Sequence, residues 1–141
     1  MDDTRRRLLW HGMFLFLLGL VTGLVETKFS NVRMGLVAHL EGVMNGTFLV
    51  AAGAIWLEVR LAPGWKAAAC WTLLYGTYAN WLFTLLAAVF GTGALSPVTA
   101  PGLVAAPWQE NLVTGGLMSC GVAIIAATVL MLWGLRGKAA A

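Results

Sequence analysis

His39, Glu41 and Asn45 lie within seven residues of one another in Val37-Ala38-His39-Leu40-Glu41-Gly42-Val43-Met44-Asn45-Gly46, a segment that is otherwise apolar or glycine. An imidazole, a carboxylate and a carboxamide are costly to place in hydrocarbon, so each needs a partner, a cavity or a cofactor. His39 admits two readings. One is a neutral imidazole hydrogen-bonded across two helices. The other is a metal or haem ligand, because imidazole nitrogen is a good iron donor and one protein ligand leaves the opposite iron face open. The sequence has no Cys-x-x-Cys-His, which excludes covalent attachment and leaves a b-type haem. Glu41 reads as a buried acid, or as a partner of Arg33 or Lys28. Asn45 and Asn80 read as interhelical contacts, worth about 0.6 kcal/mol each, or as groups that orient a polar part of a substrate. Tyr75 and Tyr78 are either packing or pocket. The other histidine, His11, begins an apolar run and reads as an interfacial imidazole.

These residues are positioned by apolar runs. Of 141 residues, 60% are hydrophobic and 11% charged. A soluble domain carries about 25% charged residues, so lipid is the expected solvent. Four runs stand out: residues 8–25, 36–59, 67–90 and 112–135. About 20 helical residues cross the hydrocarbon core, and the runs lack the alternation of barrel strands. The expected fold is therefore all-α, a single integral membrane four-helix bundle. The first run is followed by three more and ends in no small-residue cleavage site, unlike a signal peptide. No Gly-rich phosphate loop follows a strand, and no nucleic-acid partner is needed to explain the net charge of +3.

Lysine and arginine set the orientation. Arg5, Arg6, Arg7, Arg60, Lys66, Arg136 and Lys138 fall on one side, Lys28 and Arg33 on the other. Cytoplasmic loops carry the excess. This places both termini in the cytoplasm of a cell whose inner membrane holds the protein as a multi-pass chain. Trp10, Trp56, Trp65, Trp108 and Trp133 are expected as interfacial anchors, with Trp81 deep in the third run. Cys70 and Cys120 are expected as small buried hydrophobes. The proline-broken stretch from Gly91 to Glu110 reads as an apolar lid or a plain connector, with Asn111 as a helix cap.

Gly12, Gly19 and Gly23 in the first run, and Gly42, Gly46 and Gly53 in the second, recur at helical spacing that permits close helix approach. His39, Gly42 and Gly46 share one face of the second helix, while Glu41 and Asn45 share another, about 120° or more away. Filling both faces requires protein on two sides. This points to an oligomer, with a monomer whose His39 faces a water-filled cavity as the competing arrangement.

Ala38-His39-Leu40-Glu41-Gly42-Val43-Met44-Asn45-Gly46, together with Tyr78-Ala79-Asn80, resembles the small four-helix isomerase family that contains hydroxylaminobenzene mutase and styrene oxide isomerase. Leu15-Phe16-Leu17-Leu18-Gly19-Leu20 and Met34-Gly35-Leu36 look like its mutase branch. The resemblance implies a membrane homotrimer with haem b between neighbours. His39 would hold the iron, Asn45 would lie at the substrate, and Asn80 would join it. The aspartate and tyrosine that the epoxide isomerases carry on the third span meet Gly76 and Thr84 here, with Tyr75 and Tyr78 nearby as possible substitutes. The implied activity is conversion of an arylhydroxylamine, a small aromatic substrate, to a 2-aminophenol, with iron as Lewis acid. The alternatives are an epoxide-to-aldehyde isomerase, a non-enzymatic b-type haem protein, and a small transporter or scaffold without cofactor.

Overall fold

Four helices account for most of residues 3–136, which the computed structural model describes. Helix α1 runs Asp3–Val25, α2 Val32–Ala54, α3 Pro63–Phe90 and α4 Pro107–Gly134, with short 3-10 turns at Glu26–Lys28 and Pro97–Thr99. Among the described residues there is no strand. All four helices are long and apolar enough to cross a membrane, and the chain is a multi-pass membrane protein. Successive helices alternate in direction. One end of the bundle, here the basic end, carries Arg5, Arg6, Arg7, Arg60, Lys66 and Arg136, and the far end carries Lys28 and Arg33. Lys138, expected at the basic end, lies outside the described residues.

The helices are longer than the apolar runs, because hydropathy marks only the part suited to hydrocarbon. Helix α2 starts at Val32, where Asn31 Oδ1 accepts from the Met34 N–H at 3.1 Å and so caps the first turn. It ends at Ala54, short of the expected residue 59, and a turn follows. Pro63 and Pro107 are first residues of α3 and α4, a position where the missing N–H costs nothing. Asn111 is therefore inside α4 and not its cap. Gln109 instead reaches back, its Oε1 accepting from Ala106 N–H at 2.8 Å. Helix α3 closes on Gly91, whose φ of 71° suits glycine.

Packing is tightest between α1 and α2. A Cβ on Gly19 would stand 2.5 Å from Val43 N, and one on Gly46 would stand 2.5 Å from Phe16 N. The two glycine stripes thus bring backbone against backbone, the geometry that association in lipid favours. Helix α3 lies on the other side of α2 and packs in turn on α4, where Gly76 receives Ile124 and Gly116 receives the Phe83 ring. The main core gathers Leu8, Leu15, Leu49, Trp56 and Leu73 toward the basic end, and a smaller one gathers Met34, Ala87, Ala88 and Val113 at the far end.

Two expectations change. Trp56 is not an interfacial anchor. It follows the end of α2, is fully buried, and has Lys66 Nζ 5.5 Å from its ring centroid. Trp10, Trp65, Trp108 and Trp133 do stay more than half exposed. Nor does α2 require an oligomer to cover its two polar faces, because α1 and α3 flank it within one chain.

Gly42→Ala is expected to lower the thermal midpoint in detergent or prevent folding, since a Cβ there would stand 2.4 Å from the Gly19 Cα and overpacking costs about 1–3 kcal/mol. Gly115→Ala meets nothing within 4 Å and, inside a helix, is expected to keep or slightly raise the midpoint. Thermal unfolding of the two purified variants checks the contrast.

Candidate active site

The polar residues of α2 divide between its two flanks. On the α1 side, His39 Nδ1 lies 2.8 Å from the carbonyl oxygen of Gly19. A carbonyl only accepts, so Nδ1 carries the hydrogen, and in the neutral ring the lone pair is on Nε2. Nε2 has no hydrogen-bond partner among the described residues. The ring fits because position 23 is glycine: a Cβ there would stand 2.6 Å from Nδ1. His39 borders an outward-facing groove of about 560 Å³ with Leu17, Leu20, Leu24, Leu36 and Glu26. Leu17 and Leu20 also border a second groove of about 450 Å³ further along α1, beside Trp10 and Phe14. An apolar recess of several hundred Å³ with one oriented nitrogen is the common form of a small-molecule or cofactor site.

On the α3 side, Glu41 Oε2 accepts two hydrogen bonds. Asn45 Nδ2 donates at 2.9 Å from one turn further along α2, and Asn80 Nδ2 donates at 2.5 Å from α3. Cys120 of α4 stands behind them, its Sγ 3.7 Å from Asn80 Oδ1 but only 3.1 Å from Leu117 O. Helices α2 and α3 therefore meet at one carboxylate, with α4 reaching Asn80 behind it. Of the two readings of Glu41, the pairing with Arg33 or Lys28 does not form among the described residues; Arg33 Nη1 donates to Val98 O at 3.1 Å instead.

The tyrosines go elsewhere. Tyr78 OH sits 3.0 Å from His11 Nδ1 and donates to His11 O at 3.3 Å, with the two rings edge to face. Tyr75 OH sits 2.7 Å from Ser119 Oγ, on a half-exposed flank toward α4. Trp81 Nε1 donates to Thr22 Oγ1 at 3.2 Å, joining α3 to α1. Within one chain, Asn45 and Asn80 come together, while His39, Tyr75 and Tyr78 each occupy a separate place. His11 and the Gly19 carbonyl that orients His39 are eight residues apart on α1, about 12 Å along the axis. Gly76 and Thr84 are both buried, and the carboxylate that faces Asn80 comes from Glu41 on α2.

Sequence reasoning noted Glu41 without giving it a site role; its spacing of four from Asn45 was the usable signal. It did not find the Gly19 carbonyl, because a backbone acceptor leaves no mark in residue type.

A single protein nitrogen is what the His39 face offers. Among the described residues no three of His, Cys, Asp and Glu converge to hold a metal ion. The donor set nevertheless suits a haem. The Nδ1–H to carbonyl bond fixes the tautomer that exposes Nε2, as hydrogen bonds behind metal-bound histidines do, and the groove beside it is mostly leucine with one carboxyl, Glu26.

The far end is closed by residues 91–106. Glu110 holds this stretch: Oε1 accepts from Gly93 N–H at 2.9 Å and Oε2 from Ala94 N–H at 3.1 Å. Asn31 N–H donates to Ala88 O at 2.9 Å and ties the start of α2 to the end of α3.

The fold and the polar residues of α2 and α3 define a four-helix membrane bundle with a polar cluster between its helices. The chain belongs to the styrene oxide isomerase family, whose model matches residues 4–136. It is 46% identical over 136 residues to hydroxylaminobenzene mutase HabB of Ectopseudomonas oleovorans, covering 96% of this chain and 83% of that one. It is also 46% identical over 125 residues to hydroxylaminobenzene mutase HabA of the same organism, covering 88% of this chain and 93% of that one. No solved structure matches it.

Glu110→Ala removes two hydrogen bonds to an ionised acceptor, each worth about 1.5–3 kcal/mol. Amide hydrogen exchange at Gly93 and Ala94 is expected to rise at least tenfold, with the interior of α4 unchanged.

Proposed function

We propose that the protein converts an arylhydroxylamine, of which hydroxylaminobenzene is the simplest, to a 2-aminophenol, and that His39 holds a b-type haem. The observation that carries the haem assignment is the His39 ring, tied through Nδ1 to Gly19 O and turned so that Nε2 is unpartnered beside an apolar groove. The substrate class rests on the similarity to two mutases. When bound, haem iron supplies a Lewis acid for the oxygen of a weak N–O bond.

The reaction is an isomerisation. The N–O bond breaks, a C–O bond forms at the ortho carbon, that carbon gives up its hydrogen as a proton, and the nitrogen gains one. No net electrons leave the substrate, so neither nicotinamide nor flavin is required. Asn45 and Asn80 hold the NH and OH groups, so that the oxygen reaches the ortho carbon before it escapes. The leucines of the groove face lipid, where water is scarce and so traps the ring less readily. Tenfold preference for ortho over para needs only about 1.4 kcal/mol of difference between the barriers.

His39 and the asparagine pair lie on opposite flanks of α2. A homotrimer resolves the separation: the groove on one copy is covered by a neighbour, whose polar groups then complete the pocket. The membrane is the inner membrane with both termini in the cytoplasm. The excess of Arg and Lys at the basic end supports that orientation.

Detergent-purified protein is expected to turn hydroxylaminobenzene into 2-aminophenol without added nicotinamide, and to turn over styrene oxide far more slowly; faster turnover of the epoxide would assign the epoxide reaction instead. His39→Ala is expected to lose both the Soret band and activity. A full Soret band in that variant would remove His39 as the ligand. Asn45→Ala is expected to keep the band and lose at least tenfold in kcat.

A further inference from the structure

We propose that a cavity at the basic end of the bundle, between the start of α1 and the start of α3, binds the phosphate of an anionic phospholipid, with Arg7 and Lys66 as its cations. The site is separate from the chemistry proposed above. Arg7 precedes Gly19, which orients His39, by twelve residues of α1, about 18 Å along the axis.

The cavity has a volume of about 320 Å³, and Thr4, Arg7, Trp56, Lys66, Cys70 and Trp71 line it. Pro63, the first residue of α3, borders it too, so it opens beside the positive end of that helix. Among the described residues no carboxylate lines it. Each cation rests on an indole instead. Arg7 Cζ lies 5.6 Å from the Trp71 ring centroid, and Lys66 Nζ lies 5.5 Å from that of Trp56. An indole face attracts a cation but leaves its charge uncancelled. The same wall carries a donor in want of an acceptor. Trp56 is fully buried, and its Nε1 has no hydrogen-bond partner among the described residues. Buried N–H groups are almost always paired, so a cavity bordered by this one calls for a ligand that accepts.

Two cations, a helix start and an unanswered N–H together specify an anion with several acceptor oxygens, which describes a phosphate. Its setting selects a lipid as the source. Lys66 lies in the first turn of α3, at the edge of a spanning helix. Deeper on the same helix the surface turns aromatic: Trp71 is 62% exposed and Tyr75, one turn further, 51% exposed. The Tyr75 hydroxyl is already answered by Ser119 Oγ at 2.7 Å, so the ring offers its apolar faces. A phosphodiester at the membrane surface, with acyl chains running into hydrocarbon, matches a site that is cationic at its mouth and apolar below. The charge pattern also chooses among lipids. A phosphocholine head group brings a quaternary ammonium into a cavity that has cations and no carboxylate. A phosphatidylglycerol head group adds only hydroxyls to its phosphate.

The test uses the full chain in neutral detergent, titrated with phosphatidylglycerol or phosphatidylcholine. Bound lipid is counted by native mass spectrometry, and the thermal midpoint is followed in parallel. Phosphatidylglycerol is expected to saturate one site at least tenfold more tightly than phosphatidylcholine and to raise the midpoint. Arg7→Gln combined with Lys66→Gln is expected to lose that preference. Arg5→Gln combined with Arg6→Gln removes the same charge from the same end but outside the cavity, and is expected to keep it. Inorganic phosphate, compared with chloride at equal ionic strength, is expected to leave the midpoint unchanged. Equal binding of the two lipids by the wild type would overturn the site, and that measurement depends on no variant folding. Equal loss of preference in the two double variants would overturn it as well, because diffuse surface charge would then account for the binding. Stabilisation by inorganic phosphate as large as that by phosphatidylglycerol would overturn the lipid as the source of the phosphate.

Discussion

The missing side chain of Gly19 is the constraint on which the rest of the bundle depends. A methyl group there would stand 2.5 Å from Val43 N, so only glycine lets α1 and α2 touch backbone to backbone. In lipid there is little hydrophobic drive between helices, and close contact of this kind supplies the packing energy instead. The same approach delivers the Gly19 carbonyl to His39 Nδ1 at 2.8 Å. One residue therefore sets the interhelical distance and the tautomer of the imidazole. Gly23 completes the arrangement by leaving the ring room on the next turn of α1.

Every polar group on a spanning helix has to be answered from within the protein, and this explains how the bundle is wired. Thr22 donates to Leu18 O and accepts from Trp81, which joins α1 to α3. Tyr78 does the same job lower on the same pair of helices through His11. Glu41, Asn45, Asn80 and Cys120 link α2, α3 and α4 at one place. The hydroxyls of Thr47, Thr72, Thr77 and Thr128 turn back to carbonyls on their own helix, and contribute no cross-links. Specific contacts between helices are thus few, and they lie at the residues with chemical potential.

Four helices, their order and the separation of His39 from Glu41 and Asn45 on α2 were legible in the sequence, because composition, run length and helical period each leave a direct imprint. The glycine stripes were legible for the same reason, and they meet where their spacing implied. Helix ends were not, since Pro63 and Pro107 read as breakers in a hydropathy profile but act as first residues of helices. The burial of Trp56 was hidden because an aromatic at the end of an apolar run has two uses, anchoring in the interface or closing the core. The two faces of α2 are covered by α1 and α3 within one chain, so they carry no argument for an oligomer: residue periodicity shows that two faces need cover, and says nothing about which helices provide it. The partners of Tyr75 and Tyr78 depend on side-chain reach across a helix pair, which no one-dimensional pattern carries.

The two flanks of α2 also differ in what they can change. The α1 flank is rigid, because its helices meet through backbone and a ring sits where any larger residue at position 23 would collide. The α3 flank has a backbone bond only at its far end, from Asn31 N–H to Ala88 O, and is otherwise held by side chains, with Glu41 reaching Asn80 across the gap. A prosthetic group needs a fixed ligand, and a turning-over substrate needs partners that can exchange their bonds. Packed backbone suits the first requirement and a hydrogen-bonded carboxamide pair suits the second. Thus α2 turns His39 to one flank and Glu41 and Asn45 to the other within residues 39–45.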